Sequence, residues 1–312
     1  MSSTDKDLRP ILIAGPTASG KSALAMAIAD HVGGTIINAD SMQVYRELRV
    51  LTARPSAADE ARVPHALYGF VPAREAYSAG RFVRDAAAAI ASARVQGRRP
   101  IVVGGTGLYF KALLEGLSPV PEISEEVRSH WRVEAMRRGA EAMHAELAAR
   151  DEVMAARLQP SDTQRIVRAL EVLESTGQSL AEWQALKGAP VLNERETVRL
   201  VVRVDRAELH ARADARFTQM MREGAPAEVQ ALSALQLDAG LPAMRAIGVR
   251  PLIGVLRGEM TVEEAVAASQ AETRQYIKRQ ETWLKSRMIA WKTIETKYME
   301  SFERDIFAFI QR

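Results

Sequence analysis

Four apolar runs along the chain have the length of strands: Ile11–Ala14, Thr35–Asn38, Pro100–Gly104 and Arg199–Asp205. Between the first three lie stretches near 21–32 and 80–95 whose apolar residues recur at helical spacing. Strands alternating with helices at these separations require crossover connections, so the sheet is expected to be parallel and covered by helices, an α/β arrangement. From about 121 to 190 the strand signals vanish. Val127 with Trp131, and Met136, Ala140, Met143 and Leu147, recur as on one helix face, and Pro160–Gln164 reads as a helix start in which Ser161 caps and Gln164 reaches back. A second helix is expected to bury Ile166, Leu170 and Leu173. After Asp205 the pattern is helical to the C-terminus. The expected organisation is a core from 1–120, a helical insertion over 121–190, and a return to the core over 191–312 that ends in basic helices.

Composition narrows the class. Of 312 residues, 47% are hydrophobic and 26% charged, as in soluble globular proteins. No run approaches the 18 apolar residues or so that cross a membrane, and the polar stretch Met1–Arg9 has no signal-peptide character. Zero cysteines exclude disulfides, thiol catalysis and cysteine-ligated zinc, and the five histidines are scattered. A cytoplasmic enzyme acting as a monomer is expected. Net charge is only +3, but between Arg274 and Lys292 stand six basic residues against the single acid Glu281. Such a segment suits a phosphate backbone.

The sharpest chemical signal is Gly15-Pro16-Thr17-Ala18-Ser19-Gly20-Lys21-Ser22, a P-loop pattern between the first strand and the first helix. Its glycines let backbone N–H groups turn toward phosphate oxygens at a helix N-terminus. Lys21 would neutralise the terminal phosphate and Ser22 would ligate Mg²⁺. Taken alone, the loop reads as an ATP site. However, the strand at 100–104, where most nucleotide triphosphatases carry an acid, ends in Gly104-Gly105-Thr106-Gly107. A turn of this kind is expected to admit a bulky ligand, with the Thr106 hydroxyl bonding it. The nearest well-placed carboxylate is Asp40, nineteen residues after Lys21 in Asn38-Ala39-Asp40-Ser41-Met42-Gln43. It either holds Mg²⁺, accepts a proton from a nucleophile, or merely closes a turn.

Arg212 and Arg216, four apart on one helix face, have the spacing of a diphosphate clamp or of surface ion pairs. Gln164, Arg165 and Arg168 group on the polar face of a helix, and Arg245 and Arg250 flank Gly248 in an expected loop. Ile277, Leu284, Met288 and Trp291 have core spacing, which leaves Lys278, Arg279 and Lys285 free for RNA.

Together these segments resemble the bacterial tRNA dimethylallyltransferases, the isopentenyl-diphosphate:tRNA transferase family. The resemblance implies transfer of a dimethylallyl group from its diphosphate to N6 of the adenosine 3′ of the anticodon, with Mg²⁺ as cofactor. It implies Asp40 as general base, Gly15–Ser22 as diphosphate loop with Thr17 and Lys21 as ligands, Ser22 on Mg²⁺, and one of Arg212 and Arg216 on the diphosphate. It further implies tRNA contacts from Asp40, Ser41, Met42 and Gln43; from Thr106; from Gln164, Arg165, Ile166, Val167 and Arg168; from Arg245, Ala246, Ile247, Gly248, Val249 and Arg250; and from Lys278, Arg279, Gln280, Trp283 and Lys285. The chain departs from the longer eukaryotic members in lacking a cysteine-bearing zinc finger. Two other readings stay open: a small-molecule kinase using ATP, and a dimethylallyltransferase acting on free adenine nucleotide.

Overall fold

Six strands pair in the order β3-β2-β4-β1-β5-β6 in this computed structural model, which describes residues 7–295 and 306–310. They are β1 (Ile11–Ala14), β2 (Gly34–Asn38), β3 (His65–Ala66), β4 (Arg99–Gly104), β5 (Val198–Arg203) and β6 (Lys292–Glu295), and every pairing is parallel. Successive strand residues point to opposite faces. Ile11, Ile13, Ile101, Val103, Leu200 and Val202 pack on one side with Leu24 and Ile28 of α1 (Lys21–Val32). Leu12, Ile37, Val102 and Val201 pack on the other with Phe82 of α3 (Ala79–Val95) and Phe110 of α4 (Gly107–Glu115). Both faces are buried, so the strands read as unbroken apolar runs. The short α2 (Ala57–Arg62) lies between β2 and β3.

Two strands escaped the pattern. β3 is two residues long and pairs with Ile36 and Ile37. β6 stands where helix was expected; it is an edge strand in which only Ile294 is buried, and it exists through pairing of Leu200–Arg203 with Lys292–Glu295. Residues 306–310 are helical, while 1–6, 296–305 and 311–312 lie outside the described residues. β5 ends at Arg203 rather than Asp205 because Asp205 caps α9 (Arg206–Glu223), accepting from the Ala207 and Glu208 N–H groups. α10 (Ala225–Ala234), α11 (Val249–Leu256) and α12 (Val262–Arg287) follow. α12 opens with a Thr261/Glu264 capping box and buries the stripe Ala265, Ser269, Thr273, Ile277, Gln280 and Leu284.

The chain divides into two compact units, one made of the residues up to Leu114 with those from Val191 on, the other Glu115–Pro190. In the first unit the Val191 and Leu192 N–H groups both donate to Leu113 O, so the chain leaves and re-enters at one place. The second unit packs α5 (Glu125–Arg150), α6 (Glu152–Ala155), α7 (Thr163–Thr176) and α8 (Leu180–Ala185) around Trp131, Met143, Leu147, Ile166 and Leu170. Met136 is 80% exposed, against expectation, because Gly139 (φ 81°, ψ 169°) breaks α5 and shifts the phase of the stripe. Leu173 is only partly buried. The cap of α7 is Asp162 rather than Ser161, because turns through Gln159–Thr163 delay the helix by one residue. That places Arg165 where a capping box needs an acceptor, so Gln164 cannot reach back.

Candidate active site

The loop from Gly15 to Ser22 joins β1 to α1 at the C-terminal edge of the sheet, where open parallel sheets bind ligands. Ala18 (φ 63°) and Gly20 (φ 84°) take left-handed conformations that turn the loop back on itself, and Ser19 N donates to Pro16 O at 3.2 Å. Gly15 is tied by its N–H to Gly104 O at 3.3 Å, and a Cβ there would lie 2.7 Å from the Ser19 hydroxyl. The Ser19 hydroxyl is itself fully buried without a hydrogen-bond partner among the described residues. Lys21 folds over the loop and donates to Pro16 O at 3.1 Å. Beside Pro16 a cavity of about 530 Å³ opens between the end of β5 and α12, a size suited to a small ligand.

Asp40 follows β2 on the same edge. Buried Asn38 fixes it from both sides: Asn38 Oδ1 accepts from Asp40 N at 2.8 Å, while Asn38 Nδ2 donates to Asp40 O and Leu67 O. Asp40 Oδ1 accepts from Met42 N at 2.9 Å, so the turn role exists. Its other oxygen has no hydrogen-bond partner among the described residues. Two groups of Ser41 and Gln43 brace the backbone: Ser41 N donates to Thr106 Oγ1, and Gln43 Nε2 donates to Thr52 O and Ala53 O.

Asp40 sits in a charged cluster. Burial pushes the Lys21 ammonium down to about 8; the Asp40 carboxylate opposes this and the Arg216 guanidinium adds to it. Burial likewise lowers Arg216, with Asp40 opposing. These three groups therefore lie within electrostatic reach of one another, although they come from α1, the β2 edge and α9. Arg212 does not join them. One turn earlier on α9, it is exposed and paired with Glu208. Tyr68, Tyr109 and Tyr276 surround the cluster, each raised first by burial and then by the charge of Asp40. None of the three carried a sequence signal, since partly buried tyrosines are common in cores.

The glycines of the 104–107 turn admit the protein's own chain, not a ligand. A Cβ at Gly104 would strike the Ala39 backbone at 2.1 Å, at Gly105 the Gln280 amide at 2.2 Å, and at Gly107 the Trp283 indole at 2.0 Å. The Thr106 hydroxyl is also engaged, accepting from Ser41 N at 3.1 Å.

These features combine a phosphate-loop backbone and two cations with a carboxylate, and with no acid at the end of β4. A family model described as IPP transferase matches residues 43–287, and one described as isopentenyl transferase matches 9–64. The chain belongs to the IPP transferase family. Among its members, a tRNA dimethylallyltransferase from Parvibaculum lavamentivorans is 53% identical over 97% of this chain and 96% of its own. A solved tRNA delta(2)-isopentenylpyrophosphate transferase from Staphylococcus epidermidis aligns with a TM-score of 0.69 and 30% identity, covering 97% of this chain and 98% of that one. A eukaryotic dimethylallyltransferase solved acting on tRNA aligns with a TM-score of 0.79 and 25% identity over 95% of this chain and 76% of that one.

The segments this IPP transferase was expected to offer to RNA are exposed only in part. In the second unit Gln164 and Arg165 are exposed, Arg168 pairs with Glu171, and Ile166 and Val167 face the core. In the first unit Arg245 and Arg250 are exposed, whereas Ala246, Gly248 and Val249 are buried and Ile247 partly so. Arg245 closes a short 3-10 helix and Arg250 lies in the first turn of α11, so the expected loop is only the few residues between them. On α12, Lys278, Arg279 and Lys285 are exposed, Trp283 is partly buried and Gln280 is buried. No helix of the described residues is long and apolar enough to cross a membrane.

Proposed function

We propose that this chain is a cytoplasmic tRNA dimethylallyltransferase that moves the dimethylallyl group from its diphosphate to N6 of the adenosine immediately 3′ of the anticodon. The observation that carries the reading is that Lys21, Arg216 and Asp40 lie within electrostatic reach of one another at the phosphate loop. An allylic C–O bond breaks with its electron pair moving onto the departing diphosphate, and Lys21 and Arg216 stabilise that charge. The adenine N6 lone pair forms the new N–C bond, and Asp40 accepts the proton that N6 releases. Because Oδ1 already holds Met42 N, Oδ2 is the oxygen assigned to this task.

Mg²⁺ fits the donor set as an ion carried largely by its substrate. Among the described residues no three His, Asp or Glu side chains gather as a metal site. Mg²⁺ typically keeps several waters and takes few protein oxygens beside substrate phosphates. Ser22, exposed at the start of α1, would supply one oxygen, and the ion would neutralise the leaving diphosphate. On the RNA side, exposed Lys278, Arg279 and Lys285 on α12 are assigned to backbone phosphates, and Arg245 and Arg250 likewise.

Labelled dimethylallyl diphosphate mixed with undermodified tRNA tests the reading. Label recovered in a prenylated adenosine after digestion is the expected result. Label appearing only in added free adenine nucleotide would move the enzyme to the nucleotide-modifying class. Phosphate transfer from ATP to small metabolites would make it a kinase.

A further inference from the structure

Gln280 is 5% exposed, although its helix neighbours Lys278 and Arg279 face solvent. Its Oε1 accepts from Thr17 N at 2.9 Å and its Nε2 donates to Gly105 O at 3.1 Å. One side chain on α12 thus holds both the phosphate loop and the turn after β4. One helical turn earlier, Tyr276 lies beside Thr106, whose hydroxyl holds Ser41 N in the segment that carries Asp40. Arg279, whose guanidinium stands 5.5 Å from the Tyr276 ring centroid, connects this inner face to the exposed one.

We propose that Gln280 is a positioning residue for the diphosphate loop, and that through it α12 couples RNA binding on its outer face to donor binding on its inner face. The inference rests on the reading of Gly15–Ser22 as a diphosphate holder. Both polar ends of the amide already bond backbone groups inside the protein, and the side chain is buried, so it is turned away from the face that Lys278 and Arg279 expose. Thr17 directly precedes the left-handed Ala18, in a stretch whose backbone must be held in one arrangement to present its N–H groups. Without Gln280 the Thr17 N–H and Gly105 C=O lose their partner together. Because coupling is reciprocal, bound diphosphate strengthens tRNA binding by the factor by which tRNA strengthens diphosphate binding.

The test uses the full chain and reads calorimetric affinities for inorganic diphosphate and for tRNA, neither of which requires turnover. Gln280→Ala is expected to weaken diphosphate about tenfold, the scale of a lost buried hydrogen-bond pair, and to leave donor-free tRNA affinity unchanged. It should also abolish the mutual strengthening of the two ligands. Gly105→Ala attacks the same contact from the other side, since its Cβ would lie 2.2 Å from Gln280 Nε2. It should reproduce the loss, and the double variant should be no worse than Gln280→Ala. Gln280→Glu, which keeps an acceptor for Thr17 N but no donor for Gly105 O, should fall between wild type and Gln280→Ala. Weaker donor-free tRNA binding with diphosphate affinity intact would make Gln280 an RNA contact and overturn the proposal. Additive losses in the double variant would overturn it too, as would a uniform drop in both affinities with a lowered melting temperature. If wild type binds diphosphate and responds this way yet transfers no prenyl group, the functional reading fails while the clamp stands.

Discussion

Raising the pH from 7 to 9 should weaken diphosphate binding about tenfold through one residue. Lys21 carries its proton with a pKa of about 8, pushed down by burial and by Arg216 against the pull of Asp40. A group with that pKa is about nine-tenths charged at pH 7, half at pH 8 and one-tenth at pH 9. A bound diphosphate holds Lys21 charged, so binding at the higher pH must first restore the proton, at a cost of about 1.4 kcal/mol between pH 7 and 9. A lysine at its ordinary value would change by only a few per cent over the same range. The sign also follows for the free protein. Folded Lys21 binds fewer protons than unfolded lysine between pH 8 and about 10.5, so this residue's contribution to stability rises with pH across that window. Calorimetric titration with inorganic diphosphate at pH 7, 8 and 9, in two buffers of different ionisation enthalpy, gives both affinity and proton uptake. At pH 8 the uptake should be about half a proton per site. Lys21→Arg, charged throughout, should flatten the profile and shows any titration that belongs to diphosphate itself. Identical slopes for wild type and Lys21→Arg, or no uptake at pH 8, would refute the account.

Asp40→Asn keeps the acceptor for Met42 N and so the turn, but removes the base; kcat should fall by roughly 10² to 10⁴ with tRNA affinity intact, and an unchanged kcat would reduce Asp40 to its turn role. Arg216→Gln should raise the KM for dimethylallyl diphosphate at least tenfold, the scale of a charge-assisted contact, whereas Arg212→Gln, which breaks only the exposed pair with Glu208, should stay within twofold. Steady-state kinetics on the two variants side by side decides between them. Lys278→Ala should weaken tRNA binding and lower the slope of log affinity against log salt by about one; an unaltered slope would show that its ammonium meets no phosphate.

Much of the catalytic core was legible because its signals are local. β1, β2 and β4 bury both faces and so read as short apolar runs, and the phosphate loop needs its residues at fixed spacing between a strand and a helix. The same logic explains the failures. Met136 followed a periodicity that one left-handed glycine at 139 interrupts. β6 has a sequence of exposed charge around one buried isoleucine and becomes a strand only because β5 offers it a partner.

What lay beyond the linear pattern was which groups meet across distance. Arg212 and Arg216 are hard to tell apart on a helical wheel, and the packing of α9 brings one of them within electrostatic reach of Asp40 while leaving the other in solvent. Gly105 and Gln280 could be read separately as an open turn and an RNA contact; they are two halves of one clamp. Periodicity along the chain records which side of an element is buried, and motif spacing records backbone geometry over a few residues. Hydrogen-bond partners 175 residues apart are set by how helices dock on the sheet, a property of the whole packed core that no short window of sequence contains.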